Sequence, residues 1–120
     1  MPILDVCVVA PEGSRVPAGT AKKLANAVAA VLGADPGRVW VRVKALPQSL
    51  YAENGSNEDP SPVFVKVMHA DLKAIDHLER EAMELARAVA SCVGCQLELV
   101  HIEYSPPGRG RIAFGGKLLR

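Results

Sequence analysis

Three sets of residues in this 120-residue chain have types and spacings suited to chemistry: the Met1-Pro2 start, the Cys92-Val93-Gly94-Cys95 run, and the histidines His69, His77 and His101. Pro2 leads straight into an apolar run, Ile3 to Ala10. A small penultimate residue favours removal of Met1, and Pro2 then becomes a free secondary amine at the head of a strand. Burial disfavours the cationic form of such an amine, and so do neighbouring cations. Both lower its pKa toward the range in which it serves as a general base near neutral pH. The same residue has a plain structural reading, because proline at the first position of a strand simply starts it. While Met1 is present, the Pro2 nitrogen is an amide that neither accepts a proton nor carries a charge. The cysteine pair is a poorer candidate. A thioredoxin-type pair sits at a helix N-terminus, where the dipole stabilises thiolate, whereas this one falls at a helix C-terminus. A structural zinc site needs four ligands, and there is no second pair. No glycine-rich loop has phosphate-binding spacing after a strand, and the scattered Ser, His and Asp residues define no triad.

Composition narrows the setting. At 120 residues the chain is one domain, 1–120, long enough for a core of its own. Apolar residues make up 49% and aromatics 4%, so that core is built of Val, Leu, Ile and Ala. Fourteen basic against thirteen acidic residues leave a net charge of +1, which gives no electrostatic case for nucleic acid or an anionic membrane. No apolar run approaches the roughly 20 residues of a spanning helix. Asp5 and the missing basic start argue against a signal peptide. Three cysteines without such a signal point to the cytoplasm.

The elements that must position these residues follow from periodicity. Ile3 to Ala10 is apolar on both alternating faces and predicts a strand covered on both sides. Pro11 to Arg15 is a loop. Ala18 to Leu32 has apolar residues at helical spacing, with Gly33 as its stop. Val39 to Lys44 predicts a second strand, with Val39, Val41 and Val43 inward and Trp40, Arg42 and Lys44 on the other face. Pro47 to Pro62 is irregular. Val63 to Ala70 predicts a third strand, and Ile75 to Val93 a second helix ended by Gly94. Asp76 followed by Glu79 fits a loose capping box. His77 falls in that helix's first turn. Leu97 to Tyr104 predicts a fourth strand, which puts His101 near the core or a subunit seam. Pro106 to Gly110 is a loop, and Arg111 to Leu119 around Gly115-Gly116 a terminal hairpin.

The order is β-α-β twice. Ala27 to Gly33 matches Ala88 to Gly94 at four of seven positions. We take this as an internal duplication with pseudo-repeats at about 1–46 and 63–105, in which Pro2 corresponds to Val63. Each crossover is right-handed. Two such units side by side give an α+β fold: a four-stranded mixed sheet with two helices on one face, plus the C-terminal hairpin. Because strands one and three are apolar on both faces, the helix-free face would expose a large apolar patch. A soluble monomer rarely tolerates one, so self-association is expected.

Together, Met1-Pro2, the two β-α-β halves and the chain length resemble the tautomerase superfamily, the fold of macrophage migration inhibitory factor, 4-oxalocrotonate tautomerase and 5-carboxymethyl-2-hydroxymuconate isomerase. The strongest stretch is Gly33 to Val43, with Pro47 and Gly55-Ser56 beyond; it and Val16-Pro17-Ala18-Gly19 are similar to the migration-factor branch. Glu12-Gly13-Ser14-Arg15, Val41-Arg42-Val43 and Phe114-Gly115-Gly116-Lys117-Leu118 are similar to the 4-oxalocrotonate tautomerase branch. The resemblance implies a homotrimer and an isomerase that works without cofactor or metal on small 2-oxo or 2-hydroxy acids. It implies Pro2 as the catalytic residue, acting as general base in keto-enol tautomerisation. In sibling branches the proline is instead a cation that serves hydration, dehalogenation or decarboxylation. The alternative of a different class is a non-catalytic trimeric binding protein.

By the same resemblance, Arg15 and Arg42 match arginines that bind a substrate carboxylate and polarise a carbonyl oxygen. The fork of a guanidinium suits that task, although a solvated strand face for Arg42 and a surface charge for Arg15 are the plain alternatives. Lys66 is a candidate substrate-binding cation or a rim charge. Tyr104 is a candidate donor to an enolate oxygen, or packs with its hydroxyl in water. Arg109 and Arg111 lie in a loop that either covers a neighbour's pocket or is simply flexible surface. The lysine that follows the helix-ending glycine in the migration factor is Ala34 here, and that factor's active-site tyrosine aligns near Val100 or His101.

Overall fold

The computed structural model describes residues 1–55 and 58–120; Ser56 of the Gly55-Ser56 likeness lies outside the described residues. The chain forms β1 (Pro2–Ala10), α1 (Thr20–Leu32), β2 (Trp40–Pro47), β3 (Val63–His69), α2 (Ile75–Val93), β4 (Val100–Tyr104), β5 (Ala113–Phe114) and β6 (Lys117–Leu118). Single 3-10 turns at Gln48–Leu50 and Leu97–Leu99 lead out of β2 and into β4. The four long strands make one sheet in the order β2-β1-β3-β4. Strand β1 is parallel to β2 and antiparallel to β3, and β3 is parallel to β4. A helix bridges each parallel pair, and the two helices pack on each other over one face.

The core lies between that face and the helices. Leu4 and Val6 of β1, with Val63, Val65 and Val67 of β3, meet Leu24 and Val28 of α1 and Leu85 and Val89 of α2. None of these is more than 2% exposed. Valine's branched Cβ suits a pleated strand, and burying each such side chain stabilises the fold by about 1.5–3 kcal/mol. Gly33 (φ 63°) and Gly94 (φ 81°) end the helices in the left-handed region, which a side chain would strain.

Several boundaries differ from expectation for local reasons. Helix α1 starts at Thr20, whose hydroxyl donates to the Pro17 carbonyl, instead of at Ala18. The capping box at Asp76 and Glu79 does not form: Ala74 is the N-cap, no side chain caps, and Asp76 already lies within the first turn. Strand β2 runs on to Pro47 because Ala45, Leu46 and Pro47 continue to pair with Val8, Val9 and Ala10. Strand β4 begins only at Val100. Val100 and Ile102 take its core side, so His101 is exposed on the helix-free face, its ring centroid 5.1 Å from that of Phe64. The expectation of a core position for His101 is thereby corrected.

The helix-free face is also not the broad apolar patch expected. Register sets Arg42 opposite Asp5, Asp5 opposite Lys66, and Lys66 opposite Glu103, one row of alternating charge across all four strands. Arg42 donates twice to Asp5, at 2.6 and 3.0 Å, and Lys66 lies 3.5 Å from Glu103. Opposite charges placed directly across strands stabilise a pair, so this row is satisfied within the subunit. The Gly108-Arg109-Gly110-Arg111 segment is tied down as well. Arg109 forks onto Asp71 at 2.9 and 2.7 Å and donates to the Arg120 carbonyl, and the Gly108 amide donates to the His69 carbonyl. The terminal hairpin rests Phe114 on Trp40, with ring centroids 4.6 Å apart.

Candidate active site

Where β1 begins, β3 ends, and Pro2 stands directly opposite His69. Both residues share the alternation of the core positions, so both face the helices, one step beyond the Leu4–Val67 pair. The C-terminal end of α1 and the first turns of α2 close over them. A cavity of about 480 Å³ opens there, with Val31, Leu32 and Gly33 on one wall and His77, Arg80 and Glu81 on the other. Pro2 itself is buried.

Charges of both signs line this cavity, Asp35, Glu81 and Glu84 besides the basic residues. Arg38, Lys73 and Arg80 line it, and none of the three has an ion-pair partner among the described residues. The chain's amino group, on Met1, lies here too. Burial, and then the positive charge of Arg38, hold its pKa below the ordinary amino-terminal value. An amine weakened as a cation, beside three uncommitted cations, suits a carboxylate substrate with an acidic proton.

Behind the amine is a buried network. Glu81 of α2 is only 8% exposed. Its Oε2 accepts the Tyr104 hydroxyl at 2.8 Å and lies 2.7 Å from His69 Nε2, while His77 Nε2 lies 3.7 Å from Oε1. The His69 and Tyr104 rings are nearly parallel, 5.9 Å apart and 21° between planes. Burial, the hydrogen bond to Glu81 and the charge of that carboxylate push the Tyr104 phenol well above its usual range, so it stays a protonated donor.

The residues expected to form the site divide cleanly. Pro2 is in the cavity. Tyr104 stands one bond behind it, its hydroxyl committed to Glu81 and not to water. Arg15 lies toward the other end of β1, on a cavity of about 150 Å³ shared with Ala10 and Cys92. Arg42 and Lys66 face the opposite side of the sheet, on a concavity of about 600 Å³ in which both are paired. The Asp5 carboxylate holds the Arg42 guanidinium still more firmly charged. A single subunit thus puts Pro2 in the cavity, links Tyr104 to it only through Glu81, and keeps Arg15, Arg42 and Lys66 out of it. Cys92 closes the last turn of α2 and Cys95 follows Gly94, both as free thiols. Among the described residues, no His, Cys, Asp and Glu gather in threes as a metal site would need, and no helix is long and apolar enough to cross a membrane.

Sequence reasoning passed over His69, Glu81, Arg38, Lys73 and Arg80 as site residues. Two of these left a signal. His69 continues the inward alternation of Val63, Val65 and Val67. Glu81 falls on the α2 stripe four residues before Leu85 and eight before Val89, where a charge needs a partner.

No protein-family model matches the sequence, and no curated protein matches it. Solved structures do match. A wild-type fused 4-OT, a symmetric trimer, superimposes with a TM-score of 0.77 at 17% identity, over 98% of this chain and 94% of that one. Macrophage migration inhibitory factor from Oncomelania hupensis, the intermediate host of Schistosoma japonicum, gives 0.75 at 18% identity over 100% and 83%. FG41 malonate semialdehyde decarboxylase, inhibited by 3-bromopropiolate, gives 0.70 at 18% identity over 94% and 88%. At these identities the likeness is one of fold. The chain has the mixed-sheet α+β fold of the tautomerase structures, as the sequence resemblance implied.

Proposed function

We propose that this chain is a member of the tautomerase superfamily and a cofactor-independent isomerase. After removal of Met1, Pro2 acts as general base in keto-enol tautomerisation of a small unsaturated 2-oxo acid. The observation that carries this reading is the cavity at the chain start, where Pro2 is buried beside Arg38, Lys73 and Arg80. These cations take the carboxylate-binding role expected of Arg15 and Arg42, which lie away from Pro2 within the subunit. The chain works as a homotrimer, as the fused 4-OT of the same fold does, and Arg15 or Arg42 serves a Pro2 pocket only across a subunit boundary.

The sibling reading, a cationic Pro2 in hydration, dehalogenation or decarboxylation, calls for a raised amine pKa. The cavity works the other way: burial and Arg38 both disfavour the cation at the Met1 amine beside it, and the same surroundings would act on a free Pro2 amine. One observation favours the non-catalytic reading instead: the Met1 side chain packs over Gly108, where a Cβ would collide with its terminal methyl. Intact mass separates these at once. Loss of one methionine, followed by turnover in a panel of 2-oxo acids that Pro2→Ala abolishes, supports the isomerase. A retained Met1 in the native host points to the binding protein. Sedimentation at micromolar concentration tests the trimer, and a monomer contradicts it.

A further inference from the structure

We propose that His69 is a second catalytic residue of this cavity, a general acid oriented by Glu81; the inference rests on the Pro2 reading above. His69 lines the cavity directly opposite Pro2 in the β1–β3 register. Side chains so placed have Cβ atoms about 4.5–5.5 Å apart, within reach of one small substrate. Its Nε2 is fixed at 2.7 Å from the Glu81 carboxylate. Its Nδ1 has no partner among the described residues. No buried side-chain nitrogen or oxygen there lacks one, so Nδ1 is accessible, on a residue that lines the cavity. A carboxylate bonded to one imidazole nitrogen fixes ring and tautomer, and in the imidazolium the other N–H is left to donate.

Glu81 is itself over-determined for a surface helix. It is buried and accepts the Tyr104 hydroxyl besides bonding His69, so the pair cannot swing away without orphaning a buried carboxylate. The groups facing His69 are the amine from β1, Tyr104 from β4, and Glu81 with His77 beyond it from α2. Asp35 and Arg38 line the cavity from the α1–β2 connection, Lys73 from the β3–α2 connection, and Arg80 and Glu84 from α2.

The step balances with no added reagent. The neutral Pro2 nitrogen takes a proton from C3 of the 2-oxo acid. The C3–H electrons form the C2=C3 bond, and the carbonyl π electrons move to oxygen. That oxygen takes the Nδ1 proton of the His69 imidazolium. The enol is left between a Pro2 ammonium and a neutral His69 still bonded to Glu81, and the reverse step returns the proton to carbon. Base and acid thus differ in required state. The step runs with the base neutral and the acid protonated.

The test follows exchange of the C3 protons of 2-oxobutyrate in D2O by proton NMR. The variants are Pro2→Ala, His69→Gln, His69→Ala with and without added imidazole, and Glu81→Gln, each checked for folding by circular dichroism. Expected are a loss of about 100-fold in kcat for His69→Gln with KM little changed, and partial rescue of His69→Ala by imidazole. Retention of the full rate in His69→Gln, with Pro2→Ala inactive, overturns the assignment. Exchange that survives Pro2→Ala overturns the Pro2 reading instead. Where the wild type exchanges nothing, nitrogen-15 shifts of His69 decide: movement of Nδ1 on saturation with 2-oxobutyrate supports the assignment, and no movement overturns it.

Discussion

Both faces of the sheet carry cations and differ in how many are paired; on the helix-free face Lys44 is without an ion-pair partner among the described residues. On the helix-free face, Arg42 and Lys66 are each matched to a carboxylate in the row Arg42–Asp5–Lys66–Glu103. At the helix-covered end, Arg38, Lys73 and Arg80 surround the chain start without ion-pair partners. A cation already neutralised by a bidentate carboxylate must give up that partner before it binds a substrate. An uncommitted one beside an amine both attracts a carboxylate and lowers the amine's pKa. The difference separates charges that hold the sheet together from charges held ready for a ligand.

The hardest blow to this comparison is Pro2→Ala in the chain lacking Met1. It exchanges the ring-held secondary amine for a freely rotating primary one and is expected to cost about 10²–10⁴ in turnover of a 2-oxo acid, with the fold intact by circular dichroism. Next, Arg38→Ala and Arg80→Ala should each raise KM by about 10-fold or more, the loss of a charge-assisted hydrogen bond of about 1.5–3 kcal/mol. Steady-state kinetics beside Arg42→Ala sharpens the contrast, because Arg42→Ala should leave KM within about 3-fold if the pocket is complete without it, an allowance set by the same scale.

On stability the ordering reverses in interest. Glu81→Leu strands the Tyr104 hydroxyl and His69, and urea unfolding should show a loss of about 1–3 kcal/mol. Asp5→Ala, at an exposed pair, should cost less than about 1 kcal/mol and lose even that in high salt. The Tyr104 phenol is raised in the folded chain, so its contribution is present below the ordinary tyrosine range and is lost as pH climbs above it. Stability should therefore fall in strong alkali less steeply in Tyr104→Phe than in the wild type.

Much of the frame was legible in the residues. The bounds of α2, Ile75 to Val93, follow from its apolar spacing and from Gly94, which needs a positive φ. The Gly115-Gly116 turn announces the hairpin. What was not legible depends on register. That Asp5 meets both Arg42 and Lys66 follows only once β1 sits between β2 and β3, and alternation within one strand does not reveal it. Glu81 stands on the buried stripe of α2, but its partners are set only when β3 and β4 bring His69 and Tyr104 against it. The capping box failed for a smaller reason: Ala74 is the N-cap and Ile75 is already helical, which leaves Asp76 two positions too deep to cap.

The central claim is that the pocket makes the amino-terminal proline a base, and its titration tests that most directly. Nitrogen-15 NMR of the chain lacking Met1 should give a Pro2 midpoint well below that of a free proline amine, moving upward in Arg38→Gln as the neighbouring cation is lost. A midpoint at or above the free value, unmoved by Arg38→Gln, would contradict the account.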